Sequence, residues 1–172
     1  EIAAGKWHGL ARRSNGSVVA WGNNFSGQCN VPPLPPGLTY VQVAAGGFHS
    51  LARRSDGSVV TWGDNSQGQC DVPVLPPGLS YLEVRGGEYF SAALRSDGRV
   101  MTWGSNDCGQ GNVPPLPPGQ SFVEVAEGES AVTFAASHTL ARLSDGSVLA
   151  WGDNYYGQCD VPAPNQGFVS AA

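Results

Sequence analysis

One motif recurs four times along the chain and restricts its fold more than any other feature. In its second copy it reads Ser55-Asp56-Gly57-Ser58-Val59-Val60-Thr61-Trp62-Gly63-Asp64-Asn65, followed by Ser66-Gln67-Gly68-Gln69-Cys70-Asp71-Val72-Pro73. The tryptophans that mark it, Trp21, Trp62, Trp103 and Trp151, are separated by 41, 41 and 48 residues. A period of about 40 residues built from short β-type runs is the signature of a propeller or another β-repeat array. A unit of that size cannot bury its own apolar face, so stability has to come from unit packed on unit. The fold class expected is all-β: a β-propeller of four-stranded antiparallel blades, with four repeats present out of a ring of about seven.

The repeats divide the chain at about 1–39, 40–80, 81–121 and 122–167, with 168–172 starting a further copy. Glu1-Ile2-Ala3-Ala4-Gly5 aligns with Gln42-Val43-Ala44-Ala45-Gly46, and Phe168-Val169-Ser170-Ala171-Ala172 with Tyr40-Val41-Gln42-Val43-Ala44. Both ends therefore carry parts of one strand, and a piece of a longer tandem array is expected, with open blade edges that favour self-association. In the second unit Tyr40–Ala45 reads as strand A, His49–Arg54 as B, Ser58–Gly63 as C and Gln69–Val72 as a short outer strand D. The B–C turns, Asn15-Gly16, Asp56-Gly57, Asp97-Gly98 and Asp145-Gly146, read as type I′ hairpins, whose two central residues need positive φ. Pro32-Pro33-Leu34-Pro35-Pro36-Gly37 and its copies, the fourth of them degenerate, lack amide donors at their prolines and read as stiff links between blades. The repeated tryptophan reads as a core anchor between neighbouring blades.

The pattern Val-Ala-Ala-Gly-Gly-x-His-Ser-Leu-Ala, Ser-Asp-Gly-Ser-Val, Trp-Gly-Asp-Asn-x-x-Gly-Gln resembles the regulator of chromosome condensation repeat, and the resemblance covers essentially the whole chain. It implies a propeller of four-stranded blades, usually seven. Here Gly-Gln is followed by Cys-Asp-Val-Pro or Cys-Asn-Val-Pro rather than Leu-Gly. That ending is more similar to bacterial members, the propeller-type β-lactamase inhibitory proteins among them. It implies an extracellular or cell-surface bacterial setting and leaves nucleotide exchange on a small GTPase as an alternative function.

Comparison among the four units separates what the fold needs from what is free to do something else. The B–C turns and proline links hardly change. The A–B side changes from Lys6-Trp7-His8 to Gly47-Phe48-His49 to Glu88-Tyr89-Phe90, and the C–D tips from Phe25-Ser26 to Ser66-Gln67 to Asp107-Cys108 to Tyr155-Tyr156. The seven extra residues of the last spacing fall in the A–B stretch 126–136. In an up-and-down blade these two loop sets emerge on one face. Large aromatics on scaffolded loops suit protein binding, because they give contact area at small entropic cost. The candidate partner-binding residues are Trp7, Phe25, Phe48, Glu88, Tyr89, Asp107, Glu129, Phe134, Tyr155 and Tyr156. For Trp7, Phe48 and Tyr89, packing sideways between blades is the competing role. Asp64, Glu88, Asp107, Glu127, Glu129 and Asp153 on the same side favour a neutral or basic partner.

Other chemistry finds little support. His8, His49 and His138 occupy one repeat position, which fits a hydrogen-bonded strand histidine rather than a catalytic or zinc site. Cys29, Cys70 and Cys159 are likewise equivalent, with Cys108 an extra loop thiol; neighbouring blades hold equivalents too far apart for disulfides. Asp64-Asn65-Ser66-Gln67-Gly68 lacks the ligand alternation of a calcium loop. Asn15-Gly16-Ser17 and Asn24-Phe25-Ser26 are formal glycosylation sequons. No phosphate loop, nucleophile elbow or metal-protease motif is present, so neither catalytic residues nor a cofactor nor a metal is expected. A net charge of −5 argues against nucleic acid as a partner, and no apolar run approaches a membrane span. Three functions fit these features: a non-enzymatic module that binds or inhibits a partner protein, a guanine-nucleotide exchange regulator, and a structural repeat of a larger surface protein.

Overall fold

The computed structural model describes residues 1–129 and 137–170. Four antiparallel sheets follow one another along the chain, each of three strands in sequence order. The first blade holds β1 (Ile2–Ala4), β2 (His8–Arg12) and β3 (Val18–Gly22). The second holds β4 (Tyr40–Ala45), β5 (His49–Arg54) and β6 (Val59–Gly63). The third holds β7 (Tyr81–Gly86), β8 (Phe90–Arg95) and β9 (Val100–Gly104), and the fourth β10 (Phe122–Glu129), β11 (Ser137–Leu143) and β12 (Val148–Gly152). Registers repeat from blade to blade: Ser50 lies opposite Trp62 as Ser91 lies opposite Trp103 and Thr139 opposite Trp151. Among the described residues no helix is long and apolar enough to cross a membrane.

The blades have three strands and not the four expected. The segment that would be the outer strand commits its backbone to turns. Gly68 N–H donates to Asn65 O at 3.2 Å and Asp71 N–H to Gly68 O at 3.0 Å. Cys70 N–H goes to Asn65 Oδ1 at 2.7 Å, and Cys70 O accepts from Thr61 Oγ1 at 2.8 Å. A chain whose amides are spent this way has none left for a ladder.

The B–C hairpin also differs from the two-residue turn expected. Gly57 N–H donates to Arg54 O at 3.0 Å, and Arg54 N–H to Ser58 O at 2.8 Å. The loop therefore has three residues, with the left-handed conformation at Gly57, φ 80°. Asp56 Oδ1 accepts from both Ser58 N–H at 2.9 Å and Ser58 Oγ at 2.6 Å, so the aspartate braces the loop from outside.

Packing energy sits between blades. One buried cluster joins Leu10 of the first blade to Tyr40, Val43, Ala52 and Trp62 of the second. The next joins Ala44 and Leu51 to Tyr81, Val84, Ala93 and Trp103, and the third joins Ala92 and Leu94 to Phe122, Val125, Ala141 and Trp151. Each proline link closes its seam with two aliphatic side chains, Val31 and Leu34, Val72 and Leu75, or Val113 and Leu116. Tyr40 and Tyr81 tie the links down through O–H bonds to Pro32 O at 2.8 Å and Pro73 O at 2.7 Å.

A tryptophan hydrogen bond lies beside each cluster, and in the first two seams a serine–histidine pair completes a polar lock with it. Trp62 Nε1–H donates to Gln28 O of the preceding blade at 2.8 Å, Trp103 to Gln69 O at 2.9 Å and Trp151 to Gln110 O at 2.9 Å. Gln28 O and Gln69 O also accept from Ser50 Oγ and Ser91 Oγ. Each serine proton is thereby used, so the hydroxyl oxygen accepts from His8 or His49 Nε2–H, 2.9 Å away in both pairs. The expectation of an anchoring tryptophan holds for Trp62, Trp103 and Trp151. It does not hold for Trp21, which is 56% exposed, no blade among the described residues packing on that side of the first repeat.

Candidate functional site: a face of framed loops

Backbone bonds bring the A–B and C–D loops together on one side, called the front face below. Asn23 N–H donates to Trp7 O at 2.8 Å, Asp64 N–H to Phe48 O at 3.0 Å and Ser105 N–H to Tyr89 O at 2.9 Å. On the opposite face Tyr81 N–H donates to Gly57 O at 3.0 Å, joining a B–C turn to the start of the next blade.

Each C–D loop is a frame around two tip residues. In the second blade Gln69 is fully buried. Its Nε2 donates to Asp64 Oδ2 at 2.7 Å and its Oε1 accepts from Gln67 N–H at 2.8 Å. Asn65 Nδ2 closes the base on Asp71 Oδ1 at 2.9 Å. The fourth blade repeats these bonds with Gln158, Asp153, Asn154 and Asp160, and the first with Gln28, Asn23, Asn24 and Asn30. What the frame leaves free is the pair at the tip. Phe25 is 97% exposed, and Tyr155 and Tyr156 are 82% and 72% exposed. The two tyrosines meet edge to face with centroids 4.8 Å apart. At the third tip Asp107 is exposed and Cys108 is half-buried rather than exposed. Burial of the framing cysteines raises their pKa, that of Cys70 to about 11, so they are poor nucleophiles.

The A–B loops behave differently. Trp7 is exposed, whereas Phe48 and Tyr89 are half-buried and stacked on each other across a seam, centroids 5.9 Å apart. Glu88, expected to be a surface contact, is buried, and its Oε1 accepts from Lys6 Nζ at 2.7 Å. This clasp spans the second blade, whose equivalent residue is Gly47. A Cβ at Gly47 would meet Glu88 O at 2.8 Å and Glu88 Cγ at 2.9 Å, so only glycine leaves room for the carboxylate to cross. Nothing local announces the clasp, because its partners are two repeats apart. Glu127 is half-buried, with its Oε1 shielded from solvent and not displayed on the outer surface of the loops. Phe134 and the side chain of Glu129 lie outside the described residues. His8 and His49 serve the seams. Burial, with His8 adding its charge, lowers the pKa of His49 to about 4. Among the described residues no three His, Cys, Asp or Glu side chains converge to hold a metal ion.

A model of the regulator of chromosome condensation (RCC1) repeat matches residues 1–28, 40–69, 83–110 and 131–158. Among solved structures, human WBSCR16 superposes with a TM-score of 0.77 at 22% identity, over 96% of this chain and 51% of its own. Prp20p from Saccharomyces cerevisiae, a structure described with its binding properties to Gsp1p and histones, gives 0.70 at 24% identity over 88% and 44%. Yeast RCC1 (Prp20) with Kap60 bound to it gives 0.71 at 24% identity over 90% and 43%. The chain thus spans about half the length of these structures, and at such identities the likeness is one of fold. No curated protein sequence matches the chain.

Proposed function

This chain belongs to the regulator of chromosome condensation repeat family, and from that premise we propose that it is a non-enzymatic module that grips a partner protein with its front-face loops. The observation that carries the reading is the contrast within each C–D loop. A hydrogen-bonded frame common to the repeats holds two tip residues, and in the first and fourth repeats these include aromatics more than two-thirds exposed. Exposed aromatics of this size are costly in water, and rigid loops present them without the entropy penalty of ordering on contact. Protein partners recorded for a structural neighbour, Gsp1p and histones for Prp20p, support the partner class and leave the identity for this chain open. Tyr155, Tyr156, Phe25 and Trp7 are the contacts expected to dominate, with Asp107 at the rim. Phe48 and Tyr89 act mainly through each other.

The test is affinity capture from an extract of the source cells with the chain immobilised through its back face. Proteins retained by the natural chain are expected to be lost with Phe25, Tyr155 and Tyr156 all replaced by Ala. They are expected to persist when exposed back-face residues such as Asp56 and Asp145 are replaced instead. Retention by the triple variant would overturn the reading.

A further inference from the structure

The innermost strands β1, β4, β7 and β10 line a trough of about 410 Å³. Its lining includes Ala44, Ala45, Arg85 and Gly86 at the ends of β4 and β7, next to the front-face A–B loops. Most of the lining is small and repeat-typical, Ala4, Ala45 and Gly86 among it. Two residues depart from the repeat. Arg85 stands where the other blades have Ala3, Ala44 and Ala126, and Glu127 stands where they have Ala4, Ala45 and Gly86. Three blades form without a carboxylate at the second position, so the fold does not require one there.

The carboxylate is also incompletely satisfied. Glu127 Oε2 accepts from Thr139 Oγ1 at 3.1 Å, while the buried Oε1 has no partner among the described residues. Arg85 is already engaged: its Nε donates to Val125 O at 3.0 Å and its terminal nitrogen pairs with Glu83. An orphaned buried carboxylate oxygen costs free energy that a cationic donor would recover. One remaining acceptor suits a compact ammonium with rotatable donors better than the planar fork of a guanidinium. The alanines would cover an aliphatic stem.

We propose that the trough is a receptor for one lysine side chain of the bound partner, whose ammonium group bonds Glu127 Oε1. The proposal rests on the protein-binding reading above and gives that partner a chemistry. Burial raises the pKa of Glu127 well above the usual carboxylate range, against the opposing Thr139 bond and Arg85 charge. A cation on Oε1 opposes that shift and favours the ionised form.

The experiment is an NMR titration of the chain carrying ¹³C-labelled glutamate carboxyls. The probes are acetyl-Gly-Lys-Gly-amide and its norleucine counterpart, which keeps the stem and removes the charge. The lysine peptide is expected to shift the Glu127 carboxyl signal saturably toward the ionised position, and the norleucine peptide to leave it in place. Glu127→Gln, a neutral replacement compatible with the fold, is expected to weaken lysine-peptide binding about tenfold or more. Equal responses to the two peptides, or unchanged binding by E127Q, would overturn the proposal. Failure of the parent reading shows separately: partner capture that ignores the Phe25, Tyr155 and Tyr156 substitutions removes the rim and leaves the peptide result standing.

Discussion

The seam between the second and third blades and the seam between the third and fourth share one bond and differ in nearly everything polar around it. In both, a tryptophan N–H reaches a glutamine carbonyl of the preceding blade at 2.9 Å. In the earlier seam His49 and Ser91 complete the lock. In the later one Phe90 occupies the histidine position, and Thr139, in the serine position, turns instead to Glu127. The tryptophan bond with its apolar cluster is thus what blade stacking requires, and the polar lock beside it is replaceable. Once the lock is replaceable, a blade can depart from the repeat there, as the fourth does with Glu127.

The strongest way to break this comparison is to remove the common part. Trp103→Ala takes a buried indole and its bond out of the seam and is expected to cost about 4 kcal/mol in denaturant unfolding. Trp21→Ala, at the equivalent position that is exposed in this chain, is expected to cost less than about 1 kcal/mol. Similar losses at the two sites would contradict the assignment of stability to the seams.

Acid sharpens the contrast between the two locks. Unfolded His49 takes up its proton near pH 6.5, whereas the folded residue does so only at about 4. Between those values the unfolded state binds more protons, so stability is fully present above pH 6.5 and declines as pH falls. The loss is about 3 kcal/mol, complete below pH 4. The charge would arrive on Nδ1, which has no acceptor in the fold. His49→Phe, copying Phe90 of the later seam, is expected to flatten this part of the stability-against-pH curve measured by urea unfolding. Ser91 keeps its bond to Gln69 O in that variant.

A smaller effect is expected at the clasp. Gly47→Ala pushes a methyl group into Glu88 and displaces the carboxylate from Lys6, at a cost of about 2 kcal/mol by thermal or chemical unfolding. Phe48→Ala, which removes only one half of an exposed-edge ring stack, is expected to cost about 1 kcal/mol by the same measurement.

Strands A and B were readable to the residue in the second blade, because apolar alternation and the glycine boundaries are local. The absent outer strand was not. Gln69-Cys70-Asp71-Val72 alternates as a strand does, but its amides answer to Asn65 and Gly68, and which partner an amide finds is not written in hydropathy. The Asp-Gly pair announced a hairpin without announcing its loop length, since the same Asp-Gly pair fills a two-residue turn or ends a three-residue loop that needs only the glycine left-handed. Exposure of Phe25, Tyr155 and Tyr156 was legible, as they sit between invariant loop-forming residues. Glu88 was misread because a charged residue in a turn looks like surface, and the lysine that buries it belongs to a repeat two blades away. The competing sideways role of Phe48 and Tyr89 could be framed from the repeat alignment, but only the seam geometry shows them stacked on each other.

The central claim is that shared positions hold the blades together while the framed tip residues bind. It is tested most directly by placing Phe25→Ala, Tyr155→Ala and Tyr156→Ala in one chain and measuring, on the same sample, unfolding free energy and affinity for a captured partner. The account predicts stability within about 0.5 kcal/mol of the natural chain, as for other exposed substitutions, and affinity lowered at least about tenfold, as for loss of aromatic anchors. Intact affinity, or a stability loss approaching that of Trp103→Ala, would contradict it.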